Sequence, residues 1–319
     1  MQTLTYRDIY CPFPDAISPY ADNLETQIRK WLQQEYGYLP EKIRRKYEHT
    51  GVGYVGARLF PNTSYDGLLS ICRFSLWAFI NDDAYERCTA DQLEMIRLQV
   101  ISALQGRPVA SDTGIANNLQ LPVLRKELLK LASPSWLRRF THSIDSYFKG
   151  MLLEIPYRNM QQYPRLEKYK LIREIAACVY PLVDLIELET GTVLPDDIAL
   201  HPIIRRLAQL TCRIMAWAND FYSAPLEDGH DVLNLVLIIR HENNCTLDEA
   251  YSKAITIHNQ DIQEFIVLRT ALPDFKEWNT TVNKFIENLT LMITGHLQWL
   301  ELNTARYKKG GHPGADFNN

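Results

Sequence analysis

Apolar residues recur at helical spacing along most of this chain, and alternating strand patterns are scarce. Residues 21–36 show the signal clearly, with Leu24, Ile28 and Leu32 four apart and Trp31 beside them. Similar periodicity predicts helices over residues 65–86, 91–104, 134–154, 169–189, 201–222, 231–241, 246–269 and 278–307. Residues 178–186 and 232–239 are apolar on more than one side, which suits inner helices of a bundle with a second layer outside. The expectation is an all-α protein built as an antiparallel helical bundle. There is no internal repeat and no linker between separately folding halves, so residues 1–319 read as a single domain. Pro12, Pro14 and Pro19, with Gly310, Gly311, Pro313 and Gly314, mark flexible ends at about 1–10 and 308–319.

A hydrophobic fraction of 46% with 11% aromatics supplies a sizeable core. The net charge of −4 gives no electrostatic reason to expect nucleic acid, so an anionic ligand would need local cations or metals. Six scattered cysteines without zinc-type spacing read as reduced thiols, which points to a cytoplasmic protein. Residues 1–10 lack the apolar core of a signal peptide, and no segment has the uninterrupted apolar length of a membrane span. Gly51, Gly53 and Gly56 spell GxGxxG, but the pattern follows a charged helical segment rather than a strand and runs into Pro61, so it reads as a loop.

Chemistry concentrates on two helices. Asn219, Ser223 and Glu227 stand four residues apart, which places an amide, a hydroxyl and a carboxylate on one helix face. These hard oxygen donors suit Mg²⁺ or Mn²⁺, and Mg²⁺ normally shares its sphere with water and substrate phosphates. Asp82 and Glu86 are likewise four apart, and they follow the apolar run 74–80 as the continuation of a buried stripe rather than a solvated face. Pro225 lies inside the first motif and removes a helical hydrogen bond to the Phe221 carbonyl, so the helix is expected to kink or end there. That makes the placement of Glu227 the main question.

These residues make the chain resemble bacterial class I terpene synthases, also called terpene cyclases. Asp82 to Glu86 matches the aspartate-rich motif as DDxxE, and Asn219, Ser223 and Glu227 match the NDxxSxxxE metal motif. Arg173 precedes Asn219 by 46 residues, where the family places its diphosphate-sensing arginine. Arg306 and Tyr307 match the closing Arg-Tyr pair, and the likeness runs from about Pro12 to Tyr307. Without that spacing, Arg173 would read as one half of a surface ion pair with Glu174 or Glu167.

The resemblance implies Mg²⁺ as cofactor, as three ions with Mn²⁺ an alternative, held by Asp82, Glu86, Asn219, Ser223 and Glu227. It implies that Arg173, Arg306 and Tyr307 bind diphosphate and that Arg306 pairs with Asp83 when the site closes. Ala177 falls where the family's helix break often has Gly, Leu226 where many members have Lys, and Ile172 where an Arg often flanks the sensor. Aromatic walls would shape the pocket and stabilise migrating positive charge, and Trp77, Phe79, Trp217 and Trp299 are the candidates near the motifs, with Ala177 as a small lining residue.

The expected substrate is an isoprenoid diphosphate: farnesyl diphosphate, cyclised to a sesquiterpene or sesquiterpene alcohol. The alternative is a diterpene cyclase acting on geranylgeranyl diphosphate. A chain-elongating prenyltransferase would be expected to carry two aspartate-rich motifs, and a non-catalytic diphosphate-binding helical protein is the remaining reading. No nucleic-acid partner is expected, and assembly as a homodimer stays open.

Overall fold

The computed structural model describes residues 9–86, 88–108 and 116–317. Among the described residues there is no strand, and the helices form the all-α bundle that the periodicity predicts. In chain order they are α1 (Ala21–Gln34), α2 (Glu41–Glu48), α3 (Val52–Leu59), α4 (Tyr65–Tyr85), α5 (Ala90–Leu104), α6 (Leu121–Leu131), α7 (Pro134–Met160) and α8 (Leu166–Ala176). They continue with α9 (Val179–Thr190), α10 (Asp196–Ala199), α11 (Pro202–Glu227), α12 (Leu235–Asn243), α13 (Leu247–Thr270), α14 (Asn279–Gln298), a π turn (Trp299–Asn303) and α15 (Gly314–Phe317). No helix among the described residues is long and apolar enough to cross a membrane.

Local chemistry sets the starts of these helices. Ser64, Thr89, Ser133 and Thr246 each accept a backbone N–H as N-cap, and Thr89 and Thr246 complete capping boxes with Gln92 and Glu249. Pro134 and Pro202 occupy first turns, where a missing N–H costs nothing. Parts of α3, α4, α7, α8, α9, α11 and α14 surround one cavity, and α4 has buried side chains on every side, from Leu68 through Trp77 to Asp83. It is an inner helix.

Several boundaries differ from the sequence expectation, each for a physical reason. The GxGxxG segment is not a loop: α3 occupies it, and a Cβ on Gly53 would come within 2.5 Å of the Glu25 backbone N. Its glycines let α3 lie against α1 and α4. The helix expected over residues 169–189 breaks at Ala177–Cys178, where Cys178 holds a left-handed φ of 58°. α12 starts only at Leu235, because Asp231 folds its carboxylate onto the N–H groups of Val232 and Leu233 before Asn234 caps the helix.

α11 neither ends nor breaks at Pro225 but continues to Glu227. The last expected helix loses α-geometry at Trp299, passes through the π turn and becomes extended at Thr304, so Arg306 and Tyr307 are not on a continuing helix. Residues 1–8 and 318–319 of the expected flexible ends lie outside the described residues. The stretch 308–317 is not loose: Gly314 is buried, and Lys42 and Lys46 both pair with Asp316.

Candidate active site

Two rims of oxygen donors face one cavity. The first is the end of α4, where Asp82, its side chain open to the cavity, accepts a hydrogen bond from Tyr147 Oη at 3.1 Å. Burial, reinforced by the adjacent Asp83 carboxylate, raises the Asp82 carboxyl above its usual range. Glu86 follows the helix and stands 3.7 Å from Arg158. Burial, with Asp231 and Asp82 nearby, raises it as well, against the pull of Arg158.

The second rim is the end of α11. Asn219 Oδ1 accepts from Arg173 Nη2 at 2.9 Å, and its Nδ2 donates to Tyr307 Oη at 2.6 Å. One turn on, Ser223 Oγ and Glu227 Oε2 converge on the Asn234 amide, 3.2 and 2.7 Å from Nδ2. Burial pushes Glu227 up to about 7, with Asp220 and Asp231 adding to the shift. Asn234 also donates to the Asp220 carbonyl at 2.8 Å, and its own Oδ1 caps α12.

Arg173 does not form the surface pair with Glu174 or Glu167. It is held by Asp220, 3.1 Å from Nε, and Asp220 is fixed in turn by Tyr169 Oη at 2.6 Å and the Leu235 N–H at 2.9 Å. The guanidinium therefore arrives at Asn219 already oriented.

The chain beyond the π turn crosses the mouth. Ala305 N–H donates to the His49 carbonyl at 2.9 Å, and Trp299 Nε1 donates to the Gly51 carbonyl at 3.0 Å. Gly51 has a φ of +72°, and a Cβ there would lie 2.3 Å from the Asn303 carbonyl oxygen. Arg306 then forks onto Asp83, with Nη1–Oδ2 at 2.8 Å and Nη2–Oδ1 at 2.5 Å, while Tyr47 Oη donates to the same carboxylate at 2.6 Å. Burial alone would raise Asp83, but Arg306 outweighs it and holds the carboxyl below its usual range.

Between the rims lies a cavity of about 1170 Å³, counting the space at its mouth. Its apolar wall includes Phe74, Phe79, Leu182, Met215 and Trp299, with Ala78, Ala176, Ala177 and Ala216 leaving room. Phe79 and Trp299 lie with ring centroids 5.7 Å apart, and the Arg306 guanidinium sits 5.0 Å from the Phe79 ring.

Trp77 and Trp217 do not line this cavity. Each lies two positions before a residue that does, Phe79 and Asn219, and two positions turn a helix by about 200°. Trp77 packs beside Phe74 and Phe148, while Trp217 Nε1 donates to Asp261 on α13 at 2.8 Å.

The sequence reading also missed Arg158, Tyr147, Tyr47 and His296. α7 was expected to stop at residue 154, yet it runs through Pro156 and carries Arg158 to the mouth, bonded to Glu154 at 2.9 Å and Asp231 at 3.2 Å. A Glu four residues before an Arg was the available signal.

Five carboxylates line the cavity, from Asp82, Asp83, Glu86, Glu227 and Asp231, against three guanidinium groups, from Arg158, Arg173 and Arg306. That excess, the raised carboxyls and the convergence of Ser223 and Glu227 on a single N–H donor fit a hard divalent cation. Among the described residues no three His, Cys, Asp or Glu side chains gather at one point, since the donors are divided between two rims and include an amide and a hydroxyl.

Comparison with known proteins finds a metal-binding family and relatives that span nearly the whole chain. The family described as terpene synthase family 2, C-terminal metal binding, matches residues 73–264. The chain is 32% identical over 303 residues to a (+)-T-muurolol synthase, a (2E,6E)-farnesyl diphosphate cyclizing enzyme of Roseiflexus castenholzii, covering 93% of this chain and 92% of that one. It is 26% identical over 305 residues to germacrene A synthase of Nostoc punctiforme, covering 94% of each. The fold also matches 2-methylisoborneol synthase of Streptomyces coelicolor, solved with Mg²⁺ and 2-fluoroneryl diphosphate, with a TM-score of 0.84 at 20% identity over 96% of this chain and 98% of that one.

Proposed function

This chain belongs to terpene synthase family 2, and from that membership we propose that it is a Mg²⁺-dependent class I cyclase that converts farnesyl diphosphate to a sesquiterpene or sesquiterpene alcohol. The observation that carries the reading is the pairing of two oxygen-donor rims with one aromatic cavity. Asp82 and Glu86 would hold Mg²⁺ on one side, with Asn219, Ser223 and Glu227 on the other, as three ions in all. When bound, Mg²⁺ neutralises the diphosphate and makes it a leaving group.

The protein's own residues do the rest. Arg173, oriented by Asp220 and Asn219, presents its guanidinium to the phosphate oxygens, and Arg306 and Tyr307 donate from the segment that crosses the mouth. Because Arg306 also grips Asp83, closure of the mouth is tied to the rim that carries Asp82. Closure excludes bulk water, which would quench an allylic carbocation before it rearranged. Phe79 and Trp299 offer ring faces to the migrating charge, and Phe74 and Met215 limit how the chain can coil. Loss of a proton or capture of one water ends the sequence. The reading places the enzyme in the cytoplasm and leaves room for a homodimer.

Names of relatives favour the C15 substrate, since that of Roseiflexus castenholzii specifies farnesyl diphosphate cyclization. The four alanines on the wall support geranylgeranyl diphosphate as the second reading. Incubation with Mg²⁺ and geranyl, farnesyl or geranylgeranyl diphosphate, followed by gas chromatography and mass spectrometry, separates them. Cyclic C15 products as the dominant outcome support the proposal, and cyclic C20 products move it to a diterpene cyclase. Elongated diphosphates or intact bound substrate refute it.

A further inference from the structure

Pro225, two residues before the last oxygen donor of α11, is where the helix is expected to kink or end. A proline in a helix interior withholds its N–H from the carbonyl four residues back, and its ring pushes that carbonyl outward. Here the deprived carbonyl is Phe221 O, yet it is not left bare: Tyr251 Oη, from the second turn of α13, donates to it at 3.0 Å in a buried bond. The ladder resumes at once, with Asp228 N–H on the Ala224 carbonyl at 3.0 Å. The neighbouring carbonyl, Asp220 O, is met from outside the helix too, by Asn234 Nδ2 at 2.8 Å.

We infer that Tyr251 is a positioning residue for the metal-binding end of α11, its hydroxyl replacing the N–H that Pro225 removes and so fixing where Glu227 stands. The inference rests on Glu227 being a metal ligand, as in the function proposed above. Without the Tyr251 bond, the buried Phe221 carbonyl would lack a donor, and the turn carrying Ser223 and Glu227 could relieve that only by opening. Asn234 holds Ser223 and Glu227 by their side chains, whereas Tyr251 holds the backbone beneath them. Helix α13, which supplies none of the cavity-lining residues, would thereby set the geometry of the second rim.

The test is a cycle of three variants: Tyr251→Phe, Pro225→Ala, and the two together. Alanine at 225 returns the backbone N–H to the Phe221 carbonyl, so it should make the tyrosine hydroxyl dispensable. In metal-free protein, amide hydrogen exchange over residues 224–228 should accelerate on Tyr251→Phe and return toward the Pro225→Ala level in the double variant. In turnover assays, the Mg²⁺ concentration for half-maximal activity should rise roughly 10-fold or more on Tyr251→Phe, the scale of outer-sphere losses at metal sites, and much less in the Pro225→Ala background.

The inference is overturned if Tyr251→Phe acts equally in both backgrounds, which would make the tyrosine ordinary packing, or if it leaves exchange over 224–228 unchanged. Should Tyr251→Phe prove too unstable to assay, rescue of its thermal unfolding midpoint by Pro225→Ala reads the same coupling, and failure of rescue contradicts it. The exchange arm uses neither substrate nor metal. Absence of turnover in the parent protein would therefore refute the proposed reaction while leaving the role of Tyr251 to be judged separately.

Discussion

Asp83 lies beside a candidate metal ligand, Asp82, but answers to different partners. Its carboxylate takes both arms of Arg306 and the hydroxyl of Tyr47, and both members of the ion pair are nearly inaccessible to water. A buried charge stripped of its partner is costly, so Asp83→Ala should destabilise the protein by about 3–5 kcal/mol in denaturant unfolding. Replacing Asp83 and Arg306 together by apolar residues should cost less, while still impairing turnover because the segment carrying Arg306 is no longer tied to the first rim. For the rims themselves, Asn219→Ala and Glu86→Ala should each lower turnover by roughly 10²-fold or more with the helical circular-dichroism signal intact, since the loss of even an outer-sphere partner can cost that much. Near-normal activity in either variant would contradict its assignment as a metal ligand.

The elements were legible in the sequence where helical periodicity ran unbroken, as in α4, α5 and α13. They were misread where tertiary contacts overrode local rules. Pro225 signalled a kink or an end, and the end did not come: a hydroxyl from another helix supplies the missing donor, and that donor is invisible in the sequence of α11. The glycines of α3 read as a loop because the segment follows a charged helix and runs into Pro61, while their service is close approach to α1 and α4.

Phase explains the failures at the cavity wall. Trp77 and Trp217 were placed by nearness to a motif, but two residues along a helix is nearly half a turn, whereas Phe79 lies three before Asp82 and does face the cavity. Close packing gives a prediction at this scale. A Cβ on Gly295 of α14 would come 2.2 Å from the Arg58 carbonyl oxygen of α3, so Gly295→Ala should lower stability by about 1–3 kcal/mol as the two helices separate. An unchanged unfolding midpoint would show that the helices part without cost.

At the scale of the whole molecule, the bundle buries charge away from the cavity as well as around it. Burial, with the Glu187 carboxylate nearby, pushes Asp184 on α9 up to about 7 against the help of Ser143 and Arg139. A carboxyl whose folded value is raised favours folding at low pH and loses that contribution as pH rises through the folded value. The unfolding midpoint should therefore fall between about pH 4 and about pH 7, from the unfolded to the folded value, and Asp184→Asn should shrink that fall. An equal fall in the variant would assign the pH dependence to other groups.

Across the molecule, the two motif helices, Arg173 and the Arg306–Tyr307 pair stand together because they share one cavity, which is why a reading of separated motifs could anticipate a single site. Phe79, Trp299 and Ala177 of its wall were legible beside the motifs, while the rest of the wall and its supports, from Arg158 to Tyr251, came only with the packing. The central claim is that this cavity ionises farnesyl diphosphate with Mg²⁺ and cyclises what remains. The most direct test follows inorganic diphosphate release and volatile products together in one farnesyl diphosphate incubation, with Mg²⁺ present and with it chelated. The account predicts that both signals require Mg²⁺ and that cyclic C15 products accompany diphosphate release. Cyclic products undiminished by chelation, or diphosphate release yielding only linear alcohol or elongated chains, would contradict it.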